Sequence, residues 1–69
     1  MSEVKPGQRF QDVYRTMFGQ TVPDLVVNRV FLGTDGHEYA QLRSTIDPSD
    51  LRTLSTAILQ DRRRFIEVR

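Results

Sequence analysis

The chain has no cysteine, no tryptophan and a single histidine, His37, among its 69 residues. Without cysteine there can be no disulfide, no thiolate zinc site and no cysteine nucleophile. One histidine leaves imidazole-based metal sites and catalytic triads short of partners. No apolar run approaches the roughly 20 residues of a helical membrane span, and no signal-peptide pattern opens the chain. With no disulfides in so small a chain, the expectation is a soluble cytoplasmic protein. A dominant charge is missing too. Ten basic residues face nine acidic ones for a net charge of +1, so no global field selects a nucleic-acid partner. No cofactor, metal or small-molecule substrate is expected.

What is present bounds the architecture. Sixty-nine residues make one domain, which buries about 60% of its unfolded surface. A polar segment, residues 1–7, ends in Pro6 and Gly7 and reads as a flexible terminus, leaving residues 8–69 as the globular unit. Nine of the ten basic residues are arginine. Arginine's fork of donors suits phosphate and carboxylate recognition, but these arginines are interspersed with acids and read as composition.

The strongest local signal is a hairpin over residues 25–46. Leu25, Val26, Val27, Val30, Phe31 and Leu32 suit a pleated, half-buried surface. Asp35-Gly36 follows, a signature of the two-residue type I′ turn. Glu38 to residue 46 alternates well. With Asp35 and Gly36 as the loop, Leu32 pairs with Tyr39, Phe31 with Ala40, Arg29 with Leu42, Val27 with Ser44 and Leu25 with Ile46. Opposed residues share a face, so Leu25, Val27, Phe31, Ala40, Leu42 and Ile46 are expected in the core. Arg29 is the odd member of that face, as at a bulge or an edge. Val26, Asn28, Val30, Leu32, Tyr39, Gln41 and Arg43 form the other face. A slip of one residue would exchange the two.

Two segments admit two readings each. In residues 8–18, Phe10, Val13, Tyr14, Met17 and Phe18 match an amphipathic helix, with Gly19 as its C′ residue; residues 9–14 also read as a strand. In residues 49–60, Leu51, Leu54, Ile58 and Leu59 share a helical face behind Asp47 or Ser49 as cap. The competing reading takes residues 51–56 as a strand paired to the hairpin and residues 57–61 as one 3₁₀ turn. Phe65, Ile66, Glu67 and Val68 read as a closing strand.

The order strand, long loop, hairpin, short strand, one helical turn, last strand resembles a small SH3-like β-barrel, and the short bacterial proteins of that shape. It is carried by Pro6-Gly7-Gln8-Arg9-Phe10, the connection up to Asp24, Asp35-Gly36, and residues 53–59 leading into Phe65. The glycine-centred pattern of KOW modules is absent, as are the aromatic pairs and the tryptophan with which eukaryotic SH3 domains bind proline-rich ligands. The resemblance therefore implies a fold and no activity. The expected fold is mainly β, a five-stranded SH3-like barrel with one 3₁₀ turn. The alternative is an α+β domain with helices 8–18 and 49–60 on a three-stranded antiparallel sheet.

No constellation of acid, base and nucleophile is visible, so an enzyme is not expected. His37, Asp35 and Glu38 crowd a hairpin tip that supplies no pocket. Asp47 and Asp50 read as turn and capping residues. Gly33-Thr34-Asp35-Gly36 lacks the lysine and helix of a phosphate loop. Two binding surfaces remain. Arg29, Tyr39, Arg43 and Arg52, with Val30 and Leu32, would make an apolar patch rimmed by arginine on the non-core hairpin face, the kind of patch that contacts a protein partner or a second copy. Arg62, Arg63 and Arg64 beside Phe65 would offer phosphate contacts and a base-stacking ring. The competing reading of that run is a solvated basic turn with Phe65 in the core. The expected function is a protein-binding, non-catalytic module; the alternative is nucleic-acid binding by the arginine run.

Overall fold

A computed structural model describes residues 3–14, 19 and 23–68. Among the described residues, five strands and one complete helical turn follow in chain order: β1 (Arg9–Asp12), β2 (Leu25–Leu32), β3 (Glu38–Ser44), β4 (Leu51–Ser55), α1 (Thr56–Leu59) and β5 (Phe65–Val68). Every pairing is antiparallel, and the sheet order is β4-β3-β2-β1-β5. No ladder joins β4 to β5, so the sheet is open, with those two strands as its edges. None of the described helices is long and apolar enough to cross a membrane.

At both ambiguous segments the strand reading holds over part of its span, Arg9–Asp12 of 9–14 and Leu51–Ser55 of 51–56, so neither residues 8–18 nor residues 49–60 form one continuous helix. Arg9–Asp12 pairs on both sides, with β2 and β5. Only at Val13 and Tyr14 does the backbone turn helical; residues 15–18 lie outside the described residues. Leu51–Ser55 is a strand against β3. The threonine and serine there lose little by leaving a helix. Asp47 makes the turn between them. Its Oδ1 accepts from the Ser49 N–H at 3.1 Å, and its carbonyl accepts from the Asp50 N–H at 3.0 Å. The helical turn begins one residue before its expected start and is α-type. Ser55 caps it, its Oγ accepting the Ile58 N–H at 3.2 Å, and the Gln60 N–H returns to the Thr56 carbonyl at 3.1 Å.

The core contains Val4, Phe10, Leu25, Val27, Ala40, Leu42, Leu59 and Phe65, with Val30 and Leu54 packed against it. Residues 1–7, expected to be loose, thus contribute a core side chain, Val4. The Gly7 N–H also donates to the Val27 carbonyl at 2.9 Å, which ties this segment to β2.

The hairpin itself differs from expectation in both turn and register. Gly33 N–H bonds to the His37 carbonyl at 2.7 Å and Gly36 N–H to the Gly33 carbonyl at 3.1 Å. Gly36 has φ +83°, and no non-glycine residue described has positive φ. A type I′ turn would need positive φ at Asp35 as well. The loop is therefore the three-residue kind, a type I turn closed by a left-handed glycine. Leu32 consequently pairs with Glu38, Phe31 with Tyr39 and Val30 with Ala40. Between Val27 and Arg29 the register shifts again, leaving Asn28 as the extra residue of a β-bulge; beyond it Val27 faces Leu42 and Leu25 faces Ser44.

The bulge decides which side chains go inside. Leu25 and Val27 point inward before it, Val30 after it. Phe31, expected in the core, therefore lies on the outer face opposite Tyr39. Val30, expected outside, packs against the core instead. Leu32 shares the inward side of Val30 but lies at the exposed tip. Ile46, expected in the core, is 78% exposed because β3 ends at Ser44.

Candidate functional site

The outer face of the sheet gathers charge of one sign. Four arginines lie on strands: Arg9, Arg29, Arg43 and Arg52. Arg9 faces Val26 and Val26 faces Arg43, so these three cross the sheet in one row. Arg29 sits opposite Gln41 in the next row towards the tip, and Phe31 opposite Tyr39 in the row beyond. Arg9, Arg29, Arg43, Phe31 and Tyr39 share this face, opposite to that of Leu25, Val27 and Leu42. The three strand carboxylates take the other side. Asp12 pairs with Phe65, Glu67 with Phe10 and Glu38 with Leu32, placing all three on the core side of the sheet. Among the described residues no strand carboxylate shares the face of Arg9, Arg29 and Arg43. Asp24 and Asp35 flank it beyond the two ends of β2.

The aromatic end of this face is built tightly. The Phe31 and Tyr39 rings stack at 6.0 Å between centroids and 27° between planes. The Arg29 guanidinium lies 4.9 Å from the Phe31 centroid, within cation–π range. The Tyr39 hydroxyl donates to Asp35 Oδ2. The other oxygen of that carboxylate, Oδ1, accepts the His37 N–H at 3.0 Å. Donation from Tyr39, and then from His37, holds the Asp35 carboxyl below its usual pKa, while the Asp35 acceptor pushes the Tyr39 phenol up. Gly33 makes room for the ring: a Cβ there would come within 2.6 Å of Tyr39 Cε2. Asn28, displaced by the bulge, donates from Nδ2 to Gln41 Oε1 at 3.1 Å.

Of the residues expected to bind, the structure brings together Arg29, Tyr39 and Arg43. It separates Arg52, which pairs with Leu42 and so belongs to the core side of the sheet; its Nε lies 3.9 Å from Asp50 Oδ1. Two members of the face escaped the sequence reading. Arg9 follows from the strand reading of residues 9–14 once Phe10 beside it is placed in the core. Phe31 required knowledge of the three-residue loop, which sets it opposite Tyr39.

Arg62, Arg63 and Arg64 occupy the turn before β5, and each meets different neighbours. Arg63 bonds back to Asp61 Oδ1 through its N–H at 3.0 Å and its Nε at 3.3 Å; these contacts, backbone first, lower the Asp61 pKa. The Arg64 guanidinium lies 6.0 Å from the Phe65 ring centroid. Phe65 is only 4% exposed and offers no face for a base to stack on. Arg62 reaches the rim of a cavity of about 530 Å³ whose floor is Val4, Phe10, Leu59 and Phe65, with Glu67 also on its lining. Among the described residues no three His, Asp or Glu side chains are grouped to hold a metal ion. Set beside known proteins, the chain matches no family model, no curated protein and no solved structure.

Proposed function

We propose that this chain is a non-catalytic binding module that holds an anionic partner on the outer face of its sheet. The observation that carries this reading is the segregation of charge across the sheet: arginines 9, 29 and 43 on one side, all three strand carboxylates on the other. On the fold, the strand order and the single helical turn after β4 support an SH3-like barrel left open between β4 and β5. The same charge argument speaks against a symmetric homodimer through this face. A two-fold axis would bring both copies' Arg9, Arg29 and Arg43 into one interface with no strand carboxylate among them, and like charges crowded together cost affinity.

The test is a panel of three labelled anions at low salt: a glutamate peptide, inorganic polyphosphate and oligothymidylate. Fluorescence anisotropy of the full chain should show binding to at least one of them, weakening as salt rises. Combined reversal of Arg9, Arg29 and Arg43 to Glu should abolish it, with an unchanged β-type circular dichroism spectrum. Absence of binding to all three probes would overturn the proposal. So would equal binding by the folded triple variant.

A further inference from the structure

We infer that the anion this face accepts is a single-stranded nucleic acid, with phosphates on the arginines and bases on the Phe31–Tyr39 rings. This rests on the reading of the face as an anion-binding surface and goes on to name the partner. Three observations bear on it. First, cations and rings follow one another in a fixed order along the strands. Arg9 and Arg43 share one row, Arg29 is in the next, and the ring pair is in the third. Rows two residues apart are separated by about 7 Å, and Arg9 and Arg43, two strands apart, by about 10 Å. A ligand running along β2 thus meets cations and then flat apolar groups.

Second, the rings are not consumed by the core. Phe31 and Tyr39 are each half-buried on the outer side, whereas the rings of Phe10 and Phe65 are buried inside. The Phe31–Tyr39 stack is backed on one side by the Arg29 guanidinium and fixed by the Tyr39–Asp35 hydrogen bond. Ring orientation is therefore set before a ligand arrives. A purely acidic peptide would use the arginines and leave these rings idle. Nucleotides supply both a charge and a flat ring in every repeat, and stacking on such rings is tolerant of sequence. Third, the face is an open sheet, which exposes whole rows of side chains to an extended strand. A protein rich in glutamate or aspartate remains the competing occupant, and the experiment decides between the two.

Oligothymidylate, polyphosphate and a glutamate peptide of matched charge are titrated into the full chain. The expected result is oligothymidylate binding at least about fivefold tighter than polyphosphate, since one stacked base is worth about 1–3 kcal/mol. Phe31→Ile should remove that advantage, costing more affinity for oligothymidylate than for polyphosphate, because the ring stacks bases and also backs Arg29. Isoleucine suits an outward strand position, and Tyr39→Ile on the opposite strand gives a second, independent variant. The affinity of the wild type for oligothymidylate should fall with salt at a log–log slope of about −2, as expected for three phosphate contacts on a single strand. Equal affinity for all three probes, or an oligothymidylate affinity untouched in both folded ring variants, overturns the nucleic-acid assignment while leaving the binding module standing. Preference for the glutamate peptide replaces the nucleic acid with an acidic protein. Failure of every probe removes both readings together.

Discussion

Deleting Asn28 from the middle of a central strand should leave this protein folded. The reason is the bulge. With Asn28 removed, Val27↔Leu42 and Arg29↔Gln41 become consecutive pairs of a regular ladder, and every side chain of β2 keeps its face. The losses are the exposed Asn28–Gln41 hydrogen bond, a net about 0.5–1.5 kcal/mol, and the local twist that a bulge adds. A domain of this length has a total stability of about 3.5–10 kcal/mol. A loss of about 1 kcal/mol lowers the melting temperature by about 4–8 °C. The control is deletion of Val26, two residues earlier. There the alternation is regular, so keeping Val27 inside forces Leu25 outward, away from Phe10 and the core. Removing a buried leucine from a core costs about 2–5 kcal/mol, a large share of the total. Thermal melts followed by circular dichroism compare the two deletions with the intact chain. The Val26 deletion should melt at least about 10 °C below the Asn28 deletion or fail to fold. Equal melting temperatures would mean that Asn28 is not the extra residue, and the assignment of Phe31 to the outer face would fall with it.

Other perturbations test the same structure. Leu42→Ala, at a fully buried position, should cost about 2–5 kcal/mol, whereas Ile46→Ala, mostly exposed, should stay within about 0.5 kcal/mol; urea midpoints read both, and a large loss at Ile46 would restore the register expected from the sequence. Gly36→Ala should destabilise by about 1 kcal/mol, because Gly36 sits at φ +83° where L side chains are disfavoured; Gly36→Asn should recover part of this, and an alanine variant as stable as the parent would exclude the left-handed turn. Asp35, Asp47 and Asp61 all titrate below the usual carboxylate value of 3.8, held there by donors from Tyr39, Ser49 and Arg63 respectively. Their contribution to stability is present at neutral pH and lost as the pH falls below about 4. Tyr39→Phe removes the leading cause at Asp35, so it should flatten the acid limb of a stability–pH curve; an unchanged limb would show that the tip carboxylate gains nothing from the phenol.

Much of this fold was legible in the residues. Ala40 and Leu42 alternate with Tyr39, Gln41 and Arg43 and point inward as that alternation implies, on the same side as Leu25 and Val27. Asp35-Gly36 does mark the corner, although through one left-handed glycine and not two positive-φ residues. The strand choice for residues 51–56 rested on threonines that favour extended chain, and it held as far as Ser55, with Thr56 opening the helical turn. What escaped was parity beyond Val27. Periodicity constrains a strand only while the count of residues on the two partners stays equal, and a bulge breaks that equality without leaving a composition signal. Val30 and Phe31 are both large and apolar, so exchanging them leaves the pattern looking as plausible as before. The helix-like spacing of Phe10, Val13 and Tyr14 kept a helix open beside the strand, because an i, i+3, i+4 set also arises where a short strand ends and a helical turn begins, as at Asp12 and Val13. Val4 was hidden because one valine in a polar terminus carries no period at all.

The bulge also links fold to proposed function. Coverage of β2 by β1 ends where the bulge begins: Arg9 and Phe10 pair with Val26 and Leu25, and the last backbone contacts across this boundary are those of Val27 with Gly7 and Gln8. Past that point β2 pairs with β3 alone, and the extra residue lets its alternation restart out of phase. Were the ladder regular from Leu25 to Leu32 with Asn28 retained, Val30 would turn outward and Arg29 and Phe31 would turn towards Leu25 and Val27. That would bury a guanidinium among aliphatic side chains without a counter-ion, at a cost of several kcal/mol, and would strip the outer face of its ring pair. One inserted residue therefore does two things: it keeps Arg29 out of the core, and it sets Arg29 and Phe31 on the same face as Arg9, Tyr39 and Arg43. If the face binds as proposed, variants that restore the regular phase while retaining Asn28 should lose binding and stability together, whereas the Asn28 deletion, which preserves every face, should lose little of either.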